Sequence, residues 1–155
     1  MTTQIGPSVL DSSLYIPELK LRRKPPILQI LVEHASRAGV VREPGVLNET
    51  LGLRERLCCT GIGKGVAVPH VRSIAITESR LLIARSRRGI DWDAPDGVAV
   101  QLVLLVLSPS EVGEEAHADF VSRAAAIGRL QRNRTRLLEA RDFADVALVF
   151  ADWGS

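Results

Sequence analysis

Aromatic side chains are scarce in this sequence, at only 4% of its 155 residues, and neither sign of charge dominates. The 20 basic and 18 acidic side chains leave a net charge of +2. Without aromatic platforms for base stacking or a strong positive excess, the composition argues against nucleic acid as a partner. The 46% of residues that are hydrophobic are enough for one compact domain with a substantial core.

Long hydrophobic runs are also missing. The longest unbroken apolar run, residues 102–107, is far shorter than the roughly 20 residues that a membrane-spanning helix needs. Residues 1–7 contain neither a basic start nor an apolar block, so they do not indicate a secretory signal. We therefore expect a cytoplasmic protein that is not embedded in a membrane.

Only two cysteines are present, Cys58 and Cys59, and they are neighbours. Adjacent cysteines can bridge only through a strained small ring, so we expect reduced thiols. The pair lacks the spacing of metal ligands, and His34, His70 and His117 show no His-Glu-x-x-His pattern. The sequence thus predicts neither a metal site nor a cofactor.

Hydrophobic spacing predicts alternating helices and strands. Pro25 and Pro26 introduce a helical repeat that stops at Gly39, and Pro44 introduces a second helix that ends near residues 53–56. Further helices are expected at 113–132, at 135–140 and after Asp142, a suitable N-cap. Strands are expected at 18–22, 66–69, 80–86 before a turn at 89, and 98–107, whose continuous apolar character is typical of a central strand.

This order predicts an α/β fold, a single-domain layered sandwich with a mixed, mostly five-stranded sheet flanked by helices on both faces. The domain is expected to span residues 14–155 after a flexible leader of residues 1–13. The basic stretch of Arg85, Arg87 and Arg88 is expected on a solvated edge. An apolar face that this small fold left uncovered would support a homodimer.

Residues 60–70, TGIGKGVAVPH, form a glycine-rich turn that feeds a short apolar run ending on Pro69 and His70. Glycines let backbone N–H groups approach an anion. The proline is expected to end the strand and to leave His70 where a strand meets a loop, a favourable place for chemistry. A plain turn with a solvated histidine at the strand end fits the same pattern equally well.

Nucleotide motifs do not fit this segment. A P-loop needs Ser or Thr after its lysine, but Lys64 is followed by Gly65, and a dinucleotide-binding fingerprint needs a helix where residues 66–69 read as extended. No Gly-x-Ser-x-Gly elbow indicates a hydrolase. A neutral imidazole can accept a transferable phosphoryl group, if cationic or hydrogen-bonding partners hold the phosphoryl oxygens.

The segment 60–70, together with Arg54 and Glu55 before it, resembles the enzyme IIA domains of the fructose/mannitol type in the bacterial phosphotransferase system. The resemblance covers residues 14–153 and includes GIDW at 89–92. It implies that His70 is the phosphoryl acceptor through Nε2. It also implies that Arg54, sixteen positions before His70, and His117, near the start of a later helix, line the site. Thr60 and Gly65 are expected to shape the turn or to bond near the ring.

The family resemblance further implies HPr as phosphoryl donor and a cysteine of a IIB domain as acceptor in transport versions. The chain carries no IIB or IIC segment, which favours a stand-alone nitrogen-type regulator whose phosphorylation state selects a target protein. The alternatives are a sugar-specific IIA that feeds a separate IIB, or a non-transferring binding module of the same fold. Two departures from the family pattern stand out: Val71 is expected to crowd the mouth of the site, and Cys58-Cys59 replaces a pair of small residues.

Overall fold

One mixed sheet with helices on both faces forms the centre of the computed structural model, which describes residues 9–151 and 153. Its strands are β1 (Tyr15–Ile16), β2 (Gly61–Gly63), β3 (Val66–Ala67), β4 (His70–Ser73), β5 (Arg80–Ile90) and β6 (Val100–Pro109). The helices are α1 (Lys24–Arg37), α2 (Pro44–Leu57), α3 (Glu114–Arg129), α4 (Gln131–Glu139) and α5 (Phe143–Val149). The α/β prediction is confirmed, with six strands among the described residues where about five were expected.

The sheet is ordered β1-β5-β6-β3-β2, and β4 also pairs with β6. The long strands β5 and β6 are antiparallel, whereas β3 and β4 run parallel to β6. Nearly every residue of β6 is buried, which confirms the predicted central strand, although it continues through Ser108 to Pro109. The long apolar run of the sequence is therefore the middle of the sheet.

Two hydrophobic cores lie on opposite faces of the sheet. The first packs α1 and α2 against one face, with Ile27, Leu31, Leu47, Leu51 and Trp92 among its members. The second packs α3, α4 and α5 against the other face, with Phe120, Ala124, Leu137 and Val146 among its members. A Cβ at Gly128 of α3 would lie 2.8 Å from Cγ1 of Val66, so glycine there lets α3 pack closely on β3.

Helix boundaries follow the predicted signals. Proline occupies the first turn of both α1 and α2, where its missing N–H costs no helical hydrogen bond. Gly39, which was predicted to end α1, follows the helix with a φ of +82°, the left-handed conformation that glycine adopts easily. The N-cap prediction is confirmed at Asp142, whose side chain accepts a hydrogen bond from the Asp145 N–H at 3.0 Å. In the described residues no helix is both long and apolar enough to cross a membrane.

Strand β3 ends at Ala67, ahead of Pro69, but His70 does not enter the loop that was expected after the proline. β3 and β4 pair with β6 in the same register, Val66 opposite Leu102 and His70 opposite Val106. Between them the Pro69 carbonyl accepts a hydrogen bond from the Val106 N–H at 2.9 Å. Pro69 removes one donor from an otherwise continuous extended segment. His70 therefore begins β4 inside the sheet and is not in a loop.

Two other strand predictions were wrong in their limits. The edge strand lies at Tyr15–Ile16 and not at 18–22, which instead runs beside β5 with isolated bonds such as Leu19 N–H to the Arg85 carbonyl at 2.7 Å. On its other side, the pairing of β5 with β6 shifts register between Arg85 and Ile90. β5 also continues through Gly89, φ +88°, to Ile90 where a turn was expected.

Arg85 is buried, at 5% exposure, which corrects its predicted place on a solvated edge; Arg87 and Arg88 are exposed as expected. Its guanidinium donates to the Pro17 carbonyl and to three carbonyls at the end of α4, those of Leu137, Leu138 and Ala140. A cation at a helix C-terminus complements the helix dipole and its unpaired carbonyls.

Most of the predicted leader, residues 1–8, lies outside the described residues. Val9 is 4% exposed and belongs to the second core, and a short 3₁₀ turn, Ser12–Leu14, leads into β1. The predicted domain limits stay a prediction.

Candidate functional site

His70 lies on the face of the sheet that packs against α3. Side chains alternate along the strand, with Val66 and Val68 in the second core and Ala67 and Val71 in the first. His70 therefore shares the face of Val68. Within the described residues β4 pairs with β6 alone, so the imidazole lies near the sheet edge, half-buried.

Val71 does not crowd the mouth of the site, which corrects the expectation from sequence. Its side chain is fully buried in the first core, on the opposite face of the sheet from His70. Because successive side chains of a strand point to opposite faces, the residue directly after His70 cannot project into the same cavity. The Val71 side chain therefore packs under α1 and α2 and leaves the approach to His70 open.

The structure brings His70 and His117 together. Their ring centroids are 5.5 Å apart with an interplanar angle of 56°. His117 lies in the first turns of α3, where its N–H donates to the Gly113 carbonyl at 3.0 Å, and only 8% of it is exposed. Its Nδ1 is hydrogen-bonded to Oγ of Ser108, at the end of β6, over 2.7 Å.

The remaining ring nitrogens of the pair have distinct surroundings. Nδ1 of His70 and Nε2 of His117 are buried without a hydrogen-bond partner among the described residues. Nε2 of His70 also makes no hydrogen bond in the described part of the chain, but it is not fully buried. The pair therefore presents one accessible ring nitrogen, Nε2 of His70.

Both imidazoles are held in the neutral form. Burial, together with the nearby His70, Arg54 and Arg72, lowers the pKa of His117 to about 4. Burial also lowers the pKa of His70 from 6.5, and so does the positive charge of Arg54, while Glu55 opposes the shift. At neutral pH each ring thus keeps one nitrogen with a free lone pair, as nucleophilic attack requires.

Arg54 reaches the same site from the last turn of α2. It is exposed and lines, together with His70, a cavity of about 450 Å³. Four residues of α3 also line this cavity: Val121, Ser122, Ala125 and Arg129. Two guanidinium groups therefore border the space in front of His70, where they can bind the oxygens of an anion such as a phosphoryl group.

Thr60 is held beside the cavity by Glu55. Oε1 of Glu55 accepts from the Thr60 N–H at 2.9 Å, and Oε2 accepts from the Thr60 hydroxyl at 2.7 Å. Lys24 forms an ion pair with the same carboxylate at 3.1 Å. The Thr60 carbonyl in turn accepts from the Val68 N–H at 3.0 Å, so this network connects the end of α2 to the segment that carries His70.

Gly65 shapes the turn between β2 and β3 and is not one of the residues that line the cavity in front of His70. Its φ is +81°, and its carbonyl accepts from the Gln101 and Leu102 N–H groups at 2.8 and 3.1 Å. A Cβ at this position would lie 3.3 Å from the Ala99 carbonyl oxygen. The glycine therefore sets the parallel register of β3 on β6, and through it the place of His70.

Cys58 and Cys59 are free thiols that line the cavity. Sγ of Cys59 accepts a hydrogen bond from the Gly61 N–H at 3.4 Å, which helps to fix the start of β2. Among the described residues no group of three or more His, Cys, Asp or Glu side chains is placed to hold a metal ion.

Three polar residues near the site were given no role from the sequence, although Glu55 was part of the motif that carries the resemblance. Glu55 anchors Thr60, Ser108 bonds to His117, and Arg72 donates to the Ser110 and Val112 carbonyls at 2.8 and 3.1 Å, just before α3. A serine that closes an otherwise apolar buried strand was a usable signal, since a buried hydroxyl needs a partner. Glu55 bonds to Thr60 only five residues away, across the end of α2. The contacts of Arg72 depend on packing between distant segments and have no local signal.

Comparison with known proteins extends the resemblance seen in the sequence. The family model of the phosphoenolpyruvate-dependent sugar phosphotransferase system, EIIA 2, matches residues 8–153. A phosphotransferase system fructose-specific EIIA component of Haloferax volcanii is 31% identical over 150 residues, covering 93% of this chain and 97% of that protein. A nitrogen regulatory protein of Bradyrhizobium diazoefficiens is 35% identical over 136 residues, covering 88% of this chain and 86% of that protein.

Solved structures share the fold. The nitrogen regulatory protein IIA-Ntr of Neisseria meningitidis superposes with a TM-score of 0.84 at 25% identity, covering 92% of this chain and 96% of that one. The mannitol enzyme IIA of Escherichia coli, solved in complex with phosphorylated mannitol enzyme IIB, gives a TM-score of 0.78 at 16% identity, covering 92% and 97%. By sequence and by fold, the chain belongs to the EIIA 2 family of the phosphoenolpyruvate-dependent sugar phosphotransferase system.

Proposed function

We propose that this protein is a phosphocarrier in which Nε2 of His70 reversibly accepts a phosphoryl group from HPr. One observation carries the proposal: His70 presents its accessible Nε2 to a cavity bordered by Arg54, with His117 packed 5.5 Å away between ring centroids. In the transfer, the bond between phosphorus and the donor nitrogen breaks as a bond between phosphorus and Nε2 forms. The donor nitrogen leaves with its electron pair.

The surrounding side chains suit each stage of this exchange. A lowered pKa keeps His70 neutral, so its lone pair is available without prior loss of a proton. Arg54 would bind two phosphoryl oxygens through its forked N–H groups, and His117 would donate one hydrogen bond to a third. Positioning and charge stabilisation of this kind provide most of the catalysis in phosphoryl transfer.

The stand-alone nitrogen-type regulatory role is the version we favour for this carrier, acting in the cytoplasm. The similarity to the Bradyrhizobium nitrogen regulatory protein and to IIA-Ntr supports it. The similarity to the Haloferax fructose-specific component supports the alternative, a sugar-specific IIA that passes its phosphoryl group to a cysteine of a separate IIB. The mannitol IIA of the same fold is seen in complex with phosphorylated IIB.

The homodimer expected from the sequence stays a prediction.

The transfer is tested by incubating the protein with labelled phosphoenolpyruvate, enzyme I and HPr. We expect acid-labile, base-stable label on the wild type and none on His70→Ala. His34→Ala is the matched control, because His34 lies on α1, where its Nε2 is hydrogen-bonded to the Ser13 carbonyl at 2.7 Å, and it should be labelled like the wild type. Absence of label on the wild type would leave the non-transferring binding module as the better account. Label on His70→Ala would refute the choice of His70.

A second experiment separates the two carrier roles. Phosphorylated and unphosphorylated protein are used as bait under identical conditions, with His70→Ala as an unphosphorylatable control. A regulator should retain different partners in its two states, and a purified IIB should receive no label from it. Identical partners in both states, with rapid label transfer to a IIB cysteine, would support the sugar-specific role instead.

A further inference from the structure

Ser108 is an unusual residue in the position it occupies. It follows the apolar run of β6, and it is completely buried. Among the described residues, the one hydrogen bond of its hydroxyl is to Nδ1 of His117 at 2.7 Å. Backbone pairing of Ser108 with Arg72 in β4 fixes where this hydroxyl lies relative to His70, two residues earlier on the same strand.

The chemistry of the two groups restricts how they can pair. A neutral imidazole has one N–H donor and one lone-pair acceptor, whereas a hydroxyl can both donate and accept. If Nδ1 of His117 carried the proton and donated it, the Ser108 O–H would have to donate elsewhere. Each tautomer leaves one buried donor without a partner in the described part of the chain: the Ser108 O–H if Nδ1 is protonated, or the His117 Nε2–H if Nε2 is protonated. The two donors differ in their surroundings, because only Nε2–H belongs to the ring that packs against His70, where an arriving phosphoryl oxygen can accept from it.

We propose that Ser108 is a positioning residue that donates its O–H to Nδ1 and so fixes His117 as the tautomer protonated on Nε2. Nε2 is the nitrogen of His117 that has no partner among the described residues, in the ring that packs against His70. The serine thus turns this unpaired atom into a hydrogen-bond donor at the phosphoryl site.

The tautomer decides what His117 can do in the proposed transfer, so this inference rests on the proposed function. A phosphoryl group on His70 would present only oxygen acceptors. An Nε2–H can bond such an oxygen, whereas the opposite tautomer would present a lone pair and repel it. Fixing the proton before the phosphoryl arrives removes the need to rearrange it during the reaction.

The rest of the local structure keeps His117 in place for this role. Arg72 donates to the Ser110 and Val112 carbonyls, which holds the connection between β6 and α3. His117 is therefore positioned from both ends of that connection, by the sheet through Ser108 and by the first turn of α3 through Gly113.

The tautomer can be measured without any phosphoryl transfer, by two-bond proton–nitrogen correlation spectra of the ¹⁵N-labelled, unphosphorylated protein at neutral pH. The His117 signals are assigned with His117→Gln. We expect Nε2 to show the shift of a protonated nitrogen and Nδ1 that of an unprotonated one. Protonation on Nδ1 in the wild type would overturn the proposal, whether or not the protein accepts a phosphoryl group.

The positioning role is tested with Ser108→Ala and, as a matched control, Ser86→Ala, another completely buried serine on the neighbouring strand β5. In Ser108→Ala we expect a mixture of both His117 tautomers and a five- to tenfold slower transfer from HPr, the range that one neutral hydrogen bond accounts for. Ser86→Ala should keep both the wild-type tautomer and the wild-type rate. An unchanged tautomer in Ser108→Ala would refute the role of the serine, even if the transfer were slower. An altered tautomer with an unchanged transfer rate would refute the functional consequence.

Discussion

Glu55 holds Thr60 with both of its carboxylate oxygens, one on the backbone N–H at 2.9 Å and the other on the hydroxyl at 2.7 Å. Glu55 is the residue after Arg54 on α2, and Thr60 opens the glycine turn that leads to His70. A single buried carboxylate thus ties the arginine of the site to the strand that carries the histidine.

Glu55→Gln should lower the free energy of unfolding by about 1–3 kcal/mol, because it weakens the bonds to Thr60 and removes the partner charge of Lys24. Phosphoryl transfer to His70 should also become slower. Urea unfolding and labelling from HPr measure the two effects. Glu49→Gln, the same change at an exposed position of α2, is the control, and an equally stable Glu55→Gln would mean that the network does not support the turn.

Arg54→Gln should slow phosphoryl transfer by roughly 100-fold, the size of effect seen when a preorganised donor to a developing charge is removed. Arg54→Lys should recover only part of the rate, because an ammonium keeps the charge but loses the forked pair of donors. Initial labelling rates at limiting HPr give the comparison.

Arg56 is the matched control for that series. It lies on the same turn of α2 but lines a separate, larger cleft with Lys24 and Asp91. Arg56→Gln should transfer at the wild-type rate. Equal losses at both positions would indicate a general electrostatic attraction between this surface and the phosphoryl donor and not a specific contact from Arg54.

Gly65→Ala should destabilise the protein by about 1–2 kcal/mol, since φ at this residue is +81° and the new Cβ would press on the Ala99 carbonyl at 3.3 Å. Gly39→Ala separates the two causes, because φ there is +82° but no atom lies within 4 Å of the added Cβ. We expect a larger loss of stability at 65 than at 39. Similar losses would assign the whole effect to backbone strain.

Stability should fall with acidification because His117 resists protonation in the folded chain. The pKa is about 4 in the folded protein and 6.5 in the unfolded chain, so the unfolded chain binds the proton first and stability is lost as pH falls through this window. The loss should reach up to about 2 kcal/mol between pH 7 and pH 5. His70, whose pKa is also lowered, acts in the same direction.

Urea unfolding at a series of pH values, followed by the fluorescence of the buried Trp92, measures this dependence. His117→Gln has no titrating group at the position, so its stability should fall less steeply in the same range. If the free energy of unfolding fell equally steeply with pH in the wild type and in His117→Gln, His117 would titrate alike in the folded and the unfolded chain, and the prediction would be wrong.

Local signals in the sequence were sufficient for most helix boundaries and for the central strand. Pro25, Gly39 and Asp142 act on the few residues around them, so their effect can be read from the chain alone. The edge strand near Tyr15 could not be placed in this way. Its position is set by parallel pairing with Ile83 and Ala84 of β5, a segment far away in the sequence.

The sequence predicted about as much of the site as it did of the fold. The resemblance of residues 60–70 pointed to His70, Arg54 and His117. The structure places His70 and Arg54 on one cavity and packs His117 against the ring of His70. The direction of Val71 was not predictable, because it required knowing that the strand continues past Pro69 and therefore alternates its side chains. The contact of Arg72 with Ser110 and the ion pair of Glu55 with Lys24 join segments that only the folded chain brings together.

The continuous register of β3 and β4 on β6 has a consequence for the order of folding. β5 and β6 form a hairpin from neighbouring segments, whereas residues 66–73 can add in parallel only to a β6 that is already in place. His70 thus takes its position by docking onto a preformed template. We expect amides of the β5–β6 pair to gain protection from hydrogen exchange during refolding before those of residues 70–73, so that the chemistry of the site becomes available only after the scaffold has formed.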